Sequence, residues 1–349
     1  MRTRIEKLDK NRIDKEIIQD AGNILKQGGL VAFPTETVYG LGANALNKDA
    51  ARKTYEAKGR PSDNPLIIHI ARMEDLEAIT KEVSEKAKII ADKYWPGPIT
   101  MIFEKTDIVP YETTGGLETV AVRMPSEEIA LELIKAGGGY VSAPSANTSG
   151  RPSPTLASHV AEDMTGKIEM ILDGGAVDIG VESTIVDTTV TPPMILRPGA
   201  ITKEMLEELV GEVAVDKTLL DADSKVAPRA PGMKYRHYAP KAELSVVEGK
   251  LDEVVAFINQ MAKERIAEGK KVGIIATEET LASYQCGDIK CIGTREDEMT
   301  IAGHLYGILR EFDADEVDYI YSESFDADGI GSAVMNRLLK AAGHHVIQV

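Results

Sequence analysis

The alternation of apolar and polar positions divides the chain into amphipathic helices and short apolar strands. In residues 12–26, isoleucine and alanine recur at helical spacing on one face, whereas 30–33 are apolar throughout and end at Pro34. The same patterns predict further helices and strands before residue 200, namely helices at 49–58, 84–95 and 127–136, and strands at 66–70, 99–103, 119–122, 140–142, 168–172, 183–187 and 194–196. Strands and helices mixed in this way predict an α/β fold with an open sheet that is not all parallel.

The last third of the chain has the pattern of βα units. Strands are predicted at 244–247, 272–276, 289–292 and 319–321, and helices at 251–268, 300–312 and 332–342. This order is typical of a small Rossmann-like domain. Gly329 and Gly331 form a GxG between strand and helix, but a third glycine is missing, which favours a turn and helix start over a nucleotide site.

Composition places the chain among ordinary globular proteins. With 349 residues, 43% of them hydrophobic and 28% charged, we expect two domains. No apolar run is long enough to span a bilayer, and the charged N-terminal stretch lacks the apolar core of a signal peptide, so we expect a cytoplasmic protein. Cys286 and Cys291 do not form a CxxC pattern, so we expect core thiols and neither a disulfide framework nor a zinc site.

Charge is unevenly distributed along the sequence. The net charge of −16 argues against broad nucleic-acid binding, which needs basic surface, and residues 242–349 alone carry 20 acidic and 10 basic side chains. Residues 225–241, in contrast, contain five basic residues, three prolines and no acid. We therefore predict an ordered linker at 213–241 between domains at 1–212 and 242–349. A plain tether is the alternative, although a tether has little need of the aromatic and basic residues at 235–238.

Candidate chemistry is concentrated after the first strand. Residues 35–37 (Thr, Glu, Thr) follow it, and Gly40 and Gly42 predict turns in a polar loop. Lys58 and Arg60 lie where the next helix is stopped by glycine and proline. Cations at a helix C-terminus are often only a solvated end that is favoured by the helix dipole, so this pair alone does not establish a site.

Further polar residues lie at the ends of later strands. His69 ends one strand, Arg123 and Arg197 end two others, and 142–155 combine hydroxyl side chains with three prolines directly after a strand. Small hydroxyl residues allow backbone amides to approach an anion closely, so this loop is a candidate ligand-binding segment. The alternatives are a core histidine with satisfied hydrogen bonds and a flexible surface loop.

Seven segments together resemble the YrdC/Sua5 family of threonylcarbamoyl-AMP synthases. They are PTETVYGLG (34–42), KGRPSDNPL (58–66) followed by His69, VRMP (122–125), SAPSANTSGRPSPT (142–155), STIVD (183–187), LRPG (196–199) and PGMKYRHYAP (231–240). One departure is Glu36, where many members of the family have Asp. The resemblance implies a YrdC-like domain with a twisted, open, mixed sheet, the interdomain linker, and a small Rossmann-like C-terminal Sua5 domain.

The resemblance also implies a reaction and its site residues. The enzyme would join L-threonine, bicarbonate or CO2, and ATP into L-threonylcarbamoyl-AMP and pyrophosphate, the first step towards N6-threonylcarbamoyladenosine at tRNA position 37. The catalytic KxR and SxN elements would be Lys58 with Arg60 and Ser145 with Asn147. ATP would be bound by Lys58, Arg60, Asn64, Thr119, Ser145, Asn147, Ser153, Arg197, Tyr235, Arg236 and His237, the last three from a linker that crosses and gates the site. L-Threonine would be bound by Thr37, His69, Arg123, Ala143 and Ser183.

Cofactor and partners follow from the same resemblance. Mg2+ would arrive with the ATP phosphates, because nothing in the sequence indicates a dedicated metal site. The product would pass to the threonylcarbamoyl transferase machinery that acts on tRNA. The acidic composition predicts weak or no direct tRNA binding, and the lack of a long apolar run predicts no membrane association. Two alternatives stay open, an RNA-binding module and a maturation enzyme that handles carbamoyl-adenylate. The second class would also carry acylphosphatase and zinc-finger segments, which this sequence lacks.

Overall fold

A computed structural model describes residues 1–216 and 237–349, which fall into two compact units. The first contains Met1–Ser149, Ser153–Asp178 and the described residues from Glu182 onward, up to 216. The second contains Gly150–Pro152, Ile179–Val181 and the described residues from 237 onward. Most of the predicted linker, 217–236, lies outside the described residues, and the predicted domain boundaries stay a prediction.

The first unit alternates strands and helices along the chain. Its strands are β1 (Arg4–Lys7), β2 (Val31–Phe33), β3 (Gly40–Asn44), β4 (Ile67–His69), β5 (Ile99–Glu104), β6 (Thr119–Arg123), β7 (Val141–Ser142), β8 (Met170–Asp173), β9 (Thr184–Asp187), β10 (Met194–Arg197) and β11 (Ala214–Val215). Its helices are α1 (Lys15–Lys26), α2 (Lys48–Lys58), α3 (Glu74–Ile79), α4 (Glu85–Tyr94), α5 (Tyr111–Thr114), α6 (Glu128–Ala136), α7 (Ala157–Met164) and α8 (Lys203–Val210).

The strands of this unit form one extended sheet of mixed direction. Their order is β1-β8-β2-β3-β7-β4-β6-β5-β9-β10-β11. β2 pairs with β8 in parallel and with β3 in antiparallel orientation, and β6 likewise pairs in parallel with β4 and antiparallel with β5. The predicted α/β class and the mixed sheet are therefore confirmed.

Helices cover both faces of this sheet. Along β2, Val31 and Phe33 pack into a cluster with α1 and α6, whereas Ala32 packs into a cluster with α2 and α7. Side chains of a strand alternate between faces, so a strand that is apolar at every position is buried on both sides. The uninterrupted apolar run at 30–33 follows from this burial.

The prediction of a polar loop after β2 is wrong at residues 40–44. These residues form β3, and neither Gly40 nor Gly42 has the positive φ of a glycine turn. A Cβ atom at Gly40 would lie 3.1 Å from the Cβ atom of Ala143, and one at Gly42 would lie 3.0 Å from the Phe33 ring. The two glycines are required by close packing between strands, because any side chain would push the neighbouring residues away.

The second unit has a parallel five-stranded sheet. Its strands are β12 (Glu243–Glu248), β13 (Val272–Ala276), β14 (Asp288–Cys291), β15 (Tyr319–Glu323) and β16 (Val346–Gln348), and its helices are α9 (Leu251–Ala267), α10 (Glu298–Asp315) and α11 (Gly331–Ala341), with a 3₁₀ turn at Leu281–Ser283. The strand order is β14-β13-β15-β12-β16, and every pairing is parallel. The predicted Rossmann-like layout is confirmed, and α11 begins at Gly331 as the glycine pattern indicated.

Buried polar groups hold the carboxyl ends of these strands together. Glu323 is fully buried, and its carboxylate accepts hydrogen bonds from Tyr284 Oη at 2.8 Å and from the Thr280 hydroxyl. Arg295 Nη2 lies 2.6 Å from the other carboxylate oxygen.

Cys286 and Cys291 are half-buried, so they are less enclosed than the predicted core thiols. Across the two described ranges, no helix has the length and apolar character needed to cross a membrane.

Candidate active site

The KxR element is buried at the end of α2. The helix ends at Gly59, which adopts the left-handed conformation with φ of 60° and turns the chain towards Arg60. Lys58 is 1% exposed, and its ammonium group donates to the carbonyl oxygens of Ser145 and of Asn147, the latter at 2.5 Å. The interpretation of a solvated helix end is therefore wrong, because Lys58 reaches inward and joins the predicted KxR and SxN elements.

Arg60 organises the loop that follows α2. Its Nε donates to the carbonyl oxygen of Asn64 at 3.3 Å, and Nη2 donates to that of Pro65 at 3.1 Å. Asn64 is itself buried, and its Oδ1 accepts no hydrogen bond from the described residues. A buried amide oxygen without a donor costs free energy unless something fills that role, so Asn64 has capacity for a ligand.

Three strands place the residues of the predicted threonine site side by side. His69 at the end of β4 pairs in register with Arg123 at the end of β6, and Thr100 of β5 pairs with Arg123 from the other side. Arg123 Nη1 donates to the hydroxyl of Thr37 at 2.9 Å, and its Nη2 lies 2.8 Å from Glu36 Oε1. All of these side chains are buried, so the guanidinium group is an enclosed cation at a strand end.

His69 is held as a neutral imidazole. Its Nδ1 lies 3.2 Å from the carbonyl oxygen of Ile67, and its ring meets the Phe33 ring edge to face at 6.5 Å. Burial, together with the positive charge of Arg123, lowers the pKa of His69 from 6.5 to about 3. At neutral pH His69 therefore offers hydrogen bonds without adding charge.

Ser183 connects the two predicted binding sets. Its hydroxyl lies 2.8 Å from that of Thr100, and Arg197 Nη2 donates to the same oxygen at 3.2 Å. Arg197 also donates through Nε to the Ser183 carbonyl oxygen at 3.1 Å. A residue predicted to bind threonine thus touches a residue predicted to bind ATP, which is the arrangement that a reaction between their ligands needs.

Two other predicted residues, Ser153 and Ala143, lie in the same unit. Ser153 is buried, and its hydroxyl donates to Glu182 Oε1 at 2.6 Å, directly before Ser183 in the chain. Ala143 is buried, and its amide donates to the carbonyl oxygen of Ile67 at 2.9 Å. Both are therefore held by the elements that carry the rest of the predicted site.

Thr119 is separated from the Arg123 group. It begins β6, whereas Arg123 ends it, so the two lie about 13 Å apart along the strand at 3.3 Å per residue. Because β4 and β6 are parallel, Thr119 lies at the strand end that Asn64 precedes. The predicted ATP residues therefore extend over a longer distance than the predicted threonine residues.

The predicted gate can be followed only in part. Tyr235 and Arg236 lie outside the described residues, whereas His237 is buried within the second unit and its ring centre lies 5.5 Å from that of Tyr238. Thr100 and Glu182 are neighbours of the site that were not predicted from the sequence. A hydroxyl in the otherwise apolar strand ITMIF, and a carboxylate directly before STIVD, were the available signals.

Comparison with known proteins gives matches over nearly the whole chain. Residues 23–199 match a family described as "Telomere recombination", and residues 201–343 match the family "Threonylcarbamoyl-AMP synthase, C-terminal domain". A threonylcarbamoyl-AMP synthase of Pyrococcus abyssi is 50% identical over 97% of this chain and 98% of its own length. One of Bacillus subtilis is 50% identical over 96% of this chain and 95% of its own length.

A solved structure gives the same result in three dimensions. The crystal structure of Pyrococcus abyssi Sua5 complexed with L-threonine has a TM-score of 0.94 and 48% sequence identity, and the match covers 99% of this chain and 100% of that one. The match therefore includes residues of both described units.

Proposed function

Because this chain belongs to the threonylcarbamoyl-AMP synthase family, we propose that it forms L-threonylcarbamoyl-AMP and pyrophosphate from L-threonine, bicarbonate or CO2, and ATP. The observation that carries the proposal is the 50% identity to relatives of this name over nearly their full length, in Pyrococcus and in Bacillus. The reaction is the first step towards N6-threonylcarbamoyladenosine in tRNA and takes place in the cytoplasm.

The chemistry needs positioning more than it needs an enzyme nucleophile. The α-ammonium group of threonine first loses a proton to solvent, and the neutral amine then adds to CO2 to give a carbamate with release of a second proton. A carbamate oxygen attacks the α-phosphate of ATP in line with departing pyrophosphate. Such a transfer is accelerated by aligning the two reactants and by placing cations where charge develops on the phosphates. The contact between Ser183 and Arg197 is suited to this alignment.

In this proposal L-threonine lies beside Arg123. A guanidinium group binds a carboxylate through two parallel hydrogen bonds, and Arg123 is a buried guanidinium at the end of a central strand. Thr37 and Ser183 contribute hydroxyl groups, His69 contributes a neutral imidazole, and Ala143 lines the site with its backbone.

ATP lies along the KxR and SxN elements. Lys58 and Arg60 provide positive charge, and Ser145 and Asn147 lie on the loop segment that Lys58 holds. The other proposed contacts are those of Asn64, Thr119, Ser153 and Arg197, with the linker residues Tyr235, Arg236 and His237 as gate. Among the described residues no group of three His, Cys, Asp or Glu side chains could hold a metal ion, so Mg2+ would be bound by the phosphates of ATP itself.

Threonine-dependent release of pyrophosphate tests the proposal. The protein is incubated with ATP, L-threonine and bicarbonate without RNA, and pyrophosphate and threonylcarbamoyl-AMP are measured, with reactions lacking threonine or bicarbonate as controls. Product that depends on both supports the synthase. Absence of threonine-dependent release would contradict it, and a strict requirement for RNA would favour an RNA-binding module.

Direct binding of tRNA is measured separately. The net charge of −16 makes high affinity for a polyanion unfavourable, so we propose that the product is passed to a separate transferase that holds the tRNA. A titration of labelled tRNA at two salt concentrations is expected to show weak or no binding. Tight binding that weakens steeply with salt would contradict this part of the proposal.

A further inference from the structure

Glu36 is a buried carboxylate with unused hydrogen-bonding capacity. It is 5% exposed, and neither of its oxygen atoms accepts a hydrogen bond from the described residues. Its close charged neighbour is Arg123, whose Nη2 lies 2.8 Å from Oε1 without the alignment of a hydrogen bond. Buried carboxylates normally accept several hydrogen bonds, because removal from water is otherwise too costly. Glu36 therefore has positions at which a donor from outside the chain could bind.

The charges around Glu36 limit what that donor can be. Arg123 is 4% exposed, and it also donates to Thr37 through Nη1 and to the Gly97 carbonyl oxygen through Nε at 3.4 Å. If a substrate carboxylate binds this guanidinium, two carboxylates share one cation. The second negative charge is offset when the same ligand brings its own cation to Glu36.

A free amino acid meets this requirement, since its carboxylate and its ammonium group are separated by one carbon atom. The carboxylate is placed on Arg123 and the ammonium group, which has three N–H donors, reaches Glu36. Charges of opposite sign then alternate from Glu36 through the ligand to Arg123. Neither buried charge is left without a partner.

We propose that Glu36 binds the α-ammonium group of L-threonine and so selects an α-amino acid over the corresponding hydroxy acid. This inference rests on the proposed function, and it adds to the proposed threonine site a residue that the resemblance did not assign. The pair of Glu36 and Arg123 in the free protein is then the arrangement that the zwitterionic ligand enters and completes.

The experiment compares two ligands that differ only in the group at issue. Binding of L-threonine and of (2S,3R)-2,3-dihydroxybutanoate, which has a hydroxyl in place of the ammonium group, is measured by calorimetry without ATP. The wild-type protein is expected to prefer threonine. In Glu36→Gln the affinity for threonine is expected to fall roughly 10-fold or more. The dihydroxy acid is expected to bind this variant at least as tightly as it binds the wild-type protein, because Arg123 no longer has a competing carboxylate.

Two further variants serve as controls. Glu36→Asp retains the charge and is expected to keep most of the preference for threonine. Asp75→Asn changes another buried carboxylate of the same unit, which accepts from Arg72 Nη2 at 2.8 Å, and it is expected to leave the preference unchanged. Emission of Trp95, the only tryptophan in the sequence, confirms that each variant is folded, because its ring is buried in the core of this unit.

The outcomes separate this inference from the function on which it rests. If the affinities for both ligands fall equally in Glu36→Gln, Glu36 only orients Arg123. If the preference for threonine over the dihydroxy acid is unchanged, Glu36 does not contact the ammonium group. Either result overturns the inference, while threonine-dependent pyrophosphate release by the wild-type protein would still support the synthase. A wild-type protein that shows neither threonine binding nor this release would overturn both.

Discussion

Two buried groups of the first unit have pKa shifts of opposite sign. Their contributions to the pH dependence of the free energy of unfolding should therefore cancel. Burial, reinforced by Arg123, lowers the pKa of His69 from 6.5 to about 3. Burial raises the pKa of Glu127 from 4.5 to about 7, although the hydrogen bond from the Ala130 amide opposes the shift. Between pH 4.5 and 6.5 both groups are uncharged in the folded protein and largely charged in the unfolded chain.

The two contributions have opposite signs. For His69 the unfolded chain holds one proton more than the folded protein, so its contribution to stability falls as the pH falls below 6.5. For Glu127 the folded protein holds one proton more, so its contribution is full below pH 4.5 and is lost as the pH rises towards 7. At about 1.4 kcal/mol per pH unit and proton, each changes the free energy of unfolding by about 2 kcal/mol between pH 6.5 and 4.5. In the wild-type protein the two changes cancel.

Single substitutions should reveal each contribution. Urea unfolding is followed by Trp95 emission, which reports on the unit that contains both groups, for the wild type, His69→Gln and Glu127→Gln at several pH values. The stability of wild type minus that of His69→Gln is expected to fall by about 2 kcal/mol from pH 6.5 to 4.5. The stability of wild type minus that of Glu127→Gln is expected to rise by about 2 kcal/mol over the same pH interval.

Using differences between proteins removes the titration of all groups that the variants share. Parallel curves for the wild type and His69→Gln would refute the reasoning, because they would show that His69 gains its proton equally in both states. A rise in place of the fall would mean that the folded protein holds a charged imidazole beside Arg123.

Three further substitutions test other parts of the structure. Arg60→Ala should mainly raise the KM for ATP and Arg123→Ala the KM for threonine, and identical defects in steady-state kinetics would contradict separate subsites. Gly199→Ala should lower stability by about 1–3 kcal/mol in urea unfolding, because its Cβ would lie 2.4 Å from the Thr184 amide nitrogen, and wild-type stability would show that the turn relaxes freely. Glu323→Ala leaves a guanidinium group without its carboxylate and should speed hydrogen exchange across the five-stranded sheet, with a loss of about 3 kcal/mol; unchanged protection there would refute the role of this pair.

Most elements were predictable because the spacing of their apolar residues indicates which face of each element is buried. The helix predicted at 49–58 is Lys48–Lys58, and the strand predicted at 272–276 is Val272–Ala276. β1 (Arg4–Lys7) and β3 (Gly40–Asn44) were missed for different reasons. β1 is a charged edge strand that is defined by backbone pairing with β8, and β3 is rich in glycine because its neighbours leave no room for side chains.

The site was predictable as a set of residues but not as a set of contacts. Cations at strand and helix ends indicated Arg123 and Lys58, yet their burial and their partners depend on which strands are neighbours, and apolar spacing does not encode strand order. The pairing of Arg123 with Glu36 joins a strand to a distant loop, so only the folded chain brings it about. Thr100 was missed because a single hydroxyl in an apolar strand looks like an ordinary core residue.

The place of β8 in the large sheet has a consequence for synthesis on the ribosome. β8 lies between β1 and β2, although both are translated long before it. At about 5–20 residues per second, roughly 7 to 30 s separate the appearance of β2 from that of β8. During this interval the nascent chain carries two strand edges whose partner does not yet exist, so a chaperone that shields extended segments would act most usefully on this protein before residue 173 emerges.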